Sequence, residues 1–298
     1  STGNASLIDP DWNLTPAGGG NWSGLDLSPD GTRLAVTNGT DAGSQLWVKN
    51  LEDDSPPNRI TFEGEFHVRP RWSPAGDSVV FISSLGGVGE PTQVWITAAD
   101  GSGSPRRLAA ADVEIEEALI SPDNEWLVYR RGGTTANRDI YAMRRDVDSA
   151  GQPLIATDDD EKSPQLSPDN RWIAYVSDLT GAPEVYVQPF PDVSRGRWQV
   201  SVDGGVSPLW SPDGDALYYV ATDGMLTRAR IRATGTALAI TSREPLFQMN
   251  QEYVDLNYPA LEVTPEGERF LYFSFGTGQD AKVVWVRNGL AAALGLEG

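Results

Sequence analysis

The sequence predicts an all-β fold, a six-bladed β-propeller built from four-stranded antiparallel blades. Two observations support this prediction: a four-residue motif recurs six times, and a strand-like segment follows each copy. The copies lie 45, 48, 46, 44 and 53 residues apart, a spacing that suits a four-stranded blade and exceeds most helical repeats. The copies, called tetrads below, are residues 28–31, 73–76, 121–124, 167–170, 211–214 and 264–267.

Each tetrad has the composition of a tight turn. Proline at the second place presets φ for the second position of a β-turn, and Gly or Asn at the fourth place tolerates a positive φ. Asp or Glu stands at the third place in every copy except the one with Ala75. Because such a carboxylate can accept a hydrogen bond from a nearby backbone N–H, we predict a turn at each tetrad and a strand after it.

Segments rich in aromatic and β-branched residues follow the tetrads, as strands require. Second strands are predicted at 33–37, 78–83, 126–129, 172–176, 216–220 and 269–273. Third strands are predicted at 46–48, 94–96, 140–142, 185–187 and 284–286. In the fifth repeat the corresponding strand is 226–228, which lacks an aromatic residue at its centre. Outer strands are predicted at 59–61, 107–108, 154–155, 198–200 and 246–247, and the blade cores start near residues 22, 67, 115, 161, 205 and 257.

The sixth repeat has no outer strand of its own after residue 286. Residues 12–15 near the N-terminus have the composition of such a strand. We predict that they join the last blade and close the ring, because closure removes the exposed edges of an open array. Residues 1–298 then form a single propeller domain.

The composition excludes several classes of protein. The chain has 42 acidic and 23 basic residues, a net charge of -19, one His and no Cys. This negative charge disfavours nucleic-acid binding, and the lack of Cys excludes disulfides and thiolate chemistry. No apolar stretch has the ~18 residues of a membrane-spanning helix. We expect no cofactor, with a cation bound in the central channel as the alternative.

The repeats resemble the WD-like repeats of TolB-like bacterial six-bladed propellers. Residues 171–191, including the run Tyr186-Val-Gln-Pro-Phe-Pro191, and residues 198–214 resemble more specifically the propellers that follow receptor-type bacterial serine/threonine kinases. This resemblance implies an extracytoplasmic (periplasmic or cell-surface) sensor or interaction domain, either free-standing or tethered through a membrane helix outside this chain. The kinase motifs themselves are missing from this chain, so we expect it not to be an enzyme.

Propellers present ligands at the mouth of the central channel, where the inner strands begin. Counting back from each tetrad predicts a rim with a cationic side, an acidic side and aromatic side chains. The candidate ligand-binding residues are His67 and Arg69, Glu116, Glu117 and Glu161 with Lys162, and Trp22 and Tyr258. Convergent charges of both signs suit a peptide, a protein loop or a small ligand. The alternative is that these charges pair with one another and bind only water.

Three functions remain open at this point. The leading prediction is a non-catalytic binding propeller with no catalytic residues and no metal ligands. One alternative is a metal-assisted hydrolase or lyase that uses carboxylates at the channel, although a single His cannot supply a histidine metal site. The other is a scaffold whose partner binds an outer blade edge.

Overall fold

The computed structural model describes residues 21–40, 43–85, 87, 89–132, 138–235, 237–249, 261–275 and 281–287. Within these residues the secondary structure consists of β-strands and one short 3₁₀-helix, Val193–Arg195. No helix in this described part of the chain is both long enough and apolar enough to cross a membrane. The prediction of an all-β protein is confirmed.

The chain divides into two compact units, and the boundary between Pro164 and Gln165 falls within one strand. The N-terminal unit contains three four-stranded sheets whose strands follow one another in chain order. Sheet 1 contains β1 (Asn21–Leu27), β2 (Arg33–Thr40), β3 (Gly43–Asn50) and β4 (Asn58–Arg59). Sheet 2 contains β5 (His67–Trp72), β6 (Ser78–Ser83), β7 (Gln93–Ala98) and β8 (Arg106–Ala109). Sheet 3 contains β9 (Ile115–Ile120), β10 (Trp126–Arg131), β11 (Asp139–Arg144) and β12 (Gln152–Ile155).

The remaining sheets continue the same plan. Sheet 4 contains β13 (Glu161–Leu166), β14 (Trp172–Ser177), β15 (Glu184–Pro189) and β16 (Trp198–Gln199), and the unit boundary lies in β13. Sheet 5 contains β17 (Val206–Trp210), β18 (Ala216–Val220), β19 (Met225–Thr234) and β20 (Ala237–Gln248). Sheet 6 contains β21 (Leu261–Val263), β22 (Arg269–Phe275) and β23 (Ala281–Arg287).

Successive four-stranded antiparallel sheets agree with the predicted repeat. The predicted fourth strand of sheet 6, residues 12–15, lies outside the described residues, so ring closure and the single domain stay predictions. Sheet 5 departs from the short strands expected, because β19 and β20 form a long hairpin of 10 and 12 residues. Exposed and covered residues alternate along β20, as in a strand with one face in water.

The tetrads form the turns between the first and second strands of their sheets. In the first tetrad, Gly31 N donates to Ser28 O at 2.8 Å, and Ser28 N donates to Arg33 O at 2.8 Å. The Ser28 hydroxyl accepts from Arg33 N at 2.9 Å and donates to Asp30. The fourth place has a positive φ in every copy: Gly31 72°, Gly76 69°, Asn124 64°, Asn170 60°, Gly214 72° and Gly267 73°. The turn prediction is confirmed in detail.

In the one tetrad without a carboxylate, a later residue supplies the acceptor for the serine hydroxyl. Asp77, two residues after Ala75, accepts from the Ser73 hydroxyl at 2.9 Å. In the other serine tetrads this acceptor is the third residue, as with Asp123, Asp169 and Asp213. The serine hydroxyl therefore keeps its acceptor, although the sequence pattern shifts.

Neighbouring tetrads stack proline on glycine. A methyl group on Gly76 would lie 3.6 Å from Pro29 Cδ, and one on Gly267 would lie 3.8 Å from Pro212 Cδ. Tryptophan adds a second link between sheets, because Trp72 Nε1 donates to Asp26 O at 2.9 Å. Sheets 1 and 2, and likewise sheets 5 and 6, are thus joined at equivalent repeat positions.

The hydrogen bonds of the tetrad carboxylates predict that the protein loses folding stability as these carboxylates are protonated at acid pH. The hydroxyl of Ser28, followed by the N–H and hydroxyl of Thr32, lowers the pKa of Asp30 to about 2. A lowered folded-state pKa means that its stabilisation is complete above the unfolded value of about 3.9 and is lost as the pH falls toward about 2. We expect Asp30→Asn to flatten the loss of unfolding free energy over this range, measured by urea denaturation at several pH values. The exposed Asp54→Asn is the control, and an unchanged pH slope in Asp30→Asn would contradict the assignment.

Candidate functional site

Arg69 lies at a backbone irregularity near the start of β5. Its φ of 57° is in the left-handed region that favours glycine, and the β5–β6 register shifts between Val68 and Arg71. Gly24 and Ser207 occupy the equivalent places in β1 and β17, with φ of 58° and 55°. Such a φ in a non-glycine residue costs about 1–3 kcal/mol, so the surrounding contacts must hold Arg69 in place.

The Arg69 side chain bridges two sheets of the N-terminal unit. It donates from Nη1 to the Glu116 carbonyl oxygen on β9, and the same nitrogen lies 3.5 Å from Glu116 Oε2. Both side chains are 21% exposed, so the pair is protected but still reaches solvent.

Arg130 on β10 contacts Glu116 from the buried side of this pair. Its side chain is only 1% exposed, and it pairs with Glu116 and with Glu117, where Nε lies 2.8 Å from Oε1. Arg130 and Glu117 are also direct cross-strand partners between β10 and β9. A buried charge is tolerated only when it is paired, so Arg130 needs its two glutamates. Because Glu116 Oε2 contacts both Arg130 and Arg69, the Arg130 contact also holds Glu116 beside Arg69. We call Arg69, Glu116, Glu117 and Arg130 the arginine–glutamate cluster.

Lys162, at the start of β13, adds a cation beside this cluster. Burial lowers the pKa of the Lys162 ammonium, as do Arg138 and Arg130, while Asp160 and Glu117 act in the opposite direction. Lys162 therefore lies within electrostatic range of Arg130 and Glu117 of the cluster.

Glu161 belongs to a separate contact. Its Oε1 accepts from the Thr157 hydroxyl at 2.6 Å, and the side chain is buried. Burial raises the pKa of Glu161, and the Thr157 hydrogen bonds oppose this rise. The structure therefore uses Glu161 to order the connection that leads into β13.

His67 is buried as well and lies outside the solvent-facing pair. Its Nε2 lies 2.6 Å from the Glu63 carbonyl oxygen, and its ring packs edge-on against Phe81 with centroids 5.4 Å apart. Burial lowers the pKa of His67, so the ring is neutral at pH 7. The predicted cationic side therefore reduces to Arg69, because desolvation disfavours the charged imidazole.

The two aromatic candidates are placed only in part. Trp22 lies in β1, where its backbone is opposite Asn38 of β2. Tyr258 lies outside the described residues. Their ligand-binding roles stay predictions.

Arg130 is the functional residue that the sequence reasoning missed. It lies on a second strand, whereas the candidates were counted along first strands only. The available signal was register: Glu117 stands four residues before Ser121 and Arg130 stands nine after it, which places them opposite each other across the turn. Arg130 directly follows the apolar run 126–129, and a charged residue that continues a buried strand indicates a buried ion pair.

The geometry defines a class of protein before any comparison. Successive antiparallel sheets of the propeller type carry a preorganised charged cluster where strands β5 and β9 begin. In the described residues, no three or more His, Asp or Glu side chains are grouped so that they could hold a metal ion. These features define a propeller-type protein with a charged cluster between two of its sheets.

The family is shown by the sequence itself. The model of the TolB beta propeller domain family matches residues 19–168, half of the chain, and the chain belongs to this family. No curated protein matches the sequence.

Solved structures share the fold. A putative TolB from Agrobacterium tumefaciens is 19% identical, with a TM-score of 0.62 and 90% of each chain covered. TolB from Acinetobacter baumannii is 13% identical, with a TM-score of 0.60, 90% of this chain covered and 64% of that one. An oligogalacturonate lyase in complex with manganese is 12% identical, with a TM-score of 0.63 and 94% and 93% covered. At these identities the similarity concerns the fold alone.

Proposed function

We propose that this chain is a non-catalytic binding module that takes a peptide or protein segment at the Arg69–Glu116 pair. The observation that carries the proposal is the arrangement of this pair. Its two opposite charges are each 21% exposed, buried Arg130 contacts Glu116, and Arg69 lies in a strained backbone conformation. Such preorganisation lowers the ordering cost of binding. Membership of the TolB beta propeller family supports a binding role.

The proposed setting follows from the same family. We place the chain outside the cytoplasm, as a closed six-bladed ring in which residues 12–15 complete sheet 6. Six successive sheets, the last with three described strands, support this architecture. The run at 186–191, which resembles propellers that follow receptor-type kinases, supports a role as the sensor domain of a bacterial serine/threonine kinase. The module needs no cofactor in this proposal.

Binding is tested with peptides selected on the intact protein. A random peptide library is panned against the full chain, and the affinities of the selected peptides are measured for variants by calorimetry. We expect Arg69→Ala and Glu116→Gln to weaken binding about tenfold or more, since each removes a charge-assisted contact.

The matched control is Arg144→Ala, which breaks an exposed pair with Glu125 at the opposite end of sheet 3. Binding should be unchanged in this variant. Selected peptides that bind Arg69→Ala as tightly as the unaltered chain would overturn the proposed site. Hydrolysis or cleavage of the selected peptides, inhibited by a chelator, would instead favour the metal-assisted alternative.

A further inference from the structure

A cavity of about 190 Å³ lies in the C-terminal unit, between the tetrad of sheet 5 and the tetrad of sheet 6. It is separate from the arginine–glutamate cluster and does not depend on the function proposed for it. Its polar lining includes carboxylates, two arginines and a tyrosine: Asp213, Asp215, Tyr218, Arg228, Arg230 and Glu266. The volume suits a small ligand or a single side chain.

The repeat shows what the same place holds elsewhere. Pro212 packs on Gly267 as Pro29 packs on Gly76, so the junction of sheets 5 and 6 is equivalent to that of sheets 1 and 2. At the earlier junction the space is filled by Arg33, which stands five residues after Ser28. Its Nη2 donates to Gly76 O at 2.8 Å.

The Arg33 guanidinium has two further partners at its junction. It lies over the Trp72 ring at 4.7 Å from the centroid, and its Nη2 is 3.7 Å from Asp30 Oδ2. At this junction a cation therefore lies beside the tetrad aspartate, whereas the corresponding position holds Trp126 and Trp172 in the next two aspartate-containing repeats.

The later junction lacks that side chain. The position equivalent to Arg33 is Ala216, and the position equivalent to Trp72 is Val263. Both are smaller than their counterparts at the earlier junction. The cavity lies beside Asp213, the counterpart of Asp30, and Arg228 and Arg230 belong to its lining.

The charges at the cavity favour a cation. Arg228 pairs with Glu244 at 2.5 Å and Arg230 pairs with Asp215 at 2.9 Å, so both arginines are compensated. Asp213 and Glu266 then contribute negative charge beyond these pairs. The hydroxyl of Ser211 and burial act in opposite directions on Asp213, and the net effect lowers its pKa, so the carboxylate is ionised at neutral pH.

We propose that this cavity binds a guanidinium or primary ammonium group, which takes the place that Arg33 fills between sheets 1 and 2. The group donates to the Asp213 carboxylate and lies beside Gly267. Two sources share this chemistry: a free small cation, or an arginine or lysine side chain of a partner segment.

The test uses ethylguanidinium as the probe, titrated into the full-length chain and followed by calorimetry and by NMR shifts of backbone amides. We expect saturable binding with one site in the cavity, and binding about tenfold or more weaker in Asp213→Asn. Asp30→Asn is the matched control, because its junction is already filled by Arg33; its affinity should equal that of the unaltered chain. Equal binding by Asp213→Asn, or equal binding of neutral ethylurea, would overturn the proposal.

A second variant keeps the test independent of damage to sheet 5. Arg33→Ala should open an equivalent cavity and raise the ethylguanidinium stoichiometry from one site to two. An unchanged stoichiometry in a folded Arg33→Ala protein would contradict the equivalence on which the proposal rests. The source is then identified with the capped tripeptide Gly-Arg-Gly: tighter binding than ethylguanidinium indicates a side chain of a partner, and weaker binding indicates a free cation.

Discussion

Arg130→Met should destabilise the protein by about 3–5 kcal/mol, the largest effect we expect from a single substitution in the N-terminal unit. The change removes the only cation paired with buried Glu117 in the cluster and one of the two paired with Glu116. The loss arises because buried Glu117 loses its paired cation and Glu116 keeps only Arg69, and it is measured by urea denaturation at pH 7.

The neighbouring residue offers the control for this change. Arg131 also pairs with a carboxylate, but the side chain of its partner Asp112 is 85% exposed. Arg131→Met should therefore cost about 1 kcal/mol or less. Adding Glu117→Gln to Arg130→Met should recover part of the lost stability. Similar unfolding midpoints for the two single variants would show that the Arg130 pairs carry no special weight.

Asp26→Ala should cost about 3 kcal/mol, because Asp26 joins sheets 1 and 2 through two charge-assisted contacts. Its Oδ2 accepts from Trp72 N at 2.5 Å and its Oδ1 accepts from Arg71 Nη1 at 2.9 Å. The substitution leaves the buried Trp72 N–H without this acceptor, and the shift is measured from the urea midpoint of tryptophan fluorescence.

The conservative change separates the hydrogen bonds from the volume of the side chain. Asp26→Asn retains a carbonyl oxygen that can accept from Trp72 N, so its loss should be clearly smaller than that of Asp26→Ala. Equal losses for the alanine and asparagine variants would mean that packing, and not the hydrogen bond, links the two sheets at this point.

The repeat could be predicted from the sequence because its turns depend on local chemistry. Proline, a short carboxylate and a residue that tolerates positive φ are enough to define each tetrad, and the strands after them follow. The place of the carboxylate was harder to foresee at Ala75, since Asp77 reaches the same serine hydroxyl from two residues further on. Hydrogen-bond geometry can be met from either position.

The site was less predictable because its properties depend on contacts between sheets. The sequence placed Arg69 and Glu116 correctly near the start of their strands, but counting along first strands alone missed Arg130, which joins them from β10. The neutral state of His67 depends on burial beneath the connection at Glu63, which spacing does not reveal. The cavity lies beside Asp213 in a repeat that has Ala216 where the first repeat has Arg33, so only a comparison between repeats indicates it.

The irregular first strands bear on how copies of this protein behave at high concentration. β5, β13 and β17 are edge strands, and each carries a left-handed residue directly before a proline: Arg69, Ser163 and Ser207. A proline offers no N–H, and the bulge bends the backbone away from a straight template, so a strand from another molecule cannot extend the sheet there. These three edges therefore resist pairing with a strand of another molecule, which limits strand exchange and fibril growth from this side of their sheets.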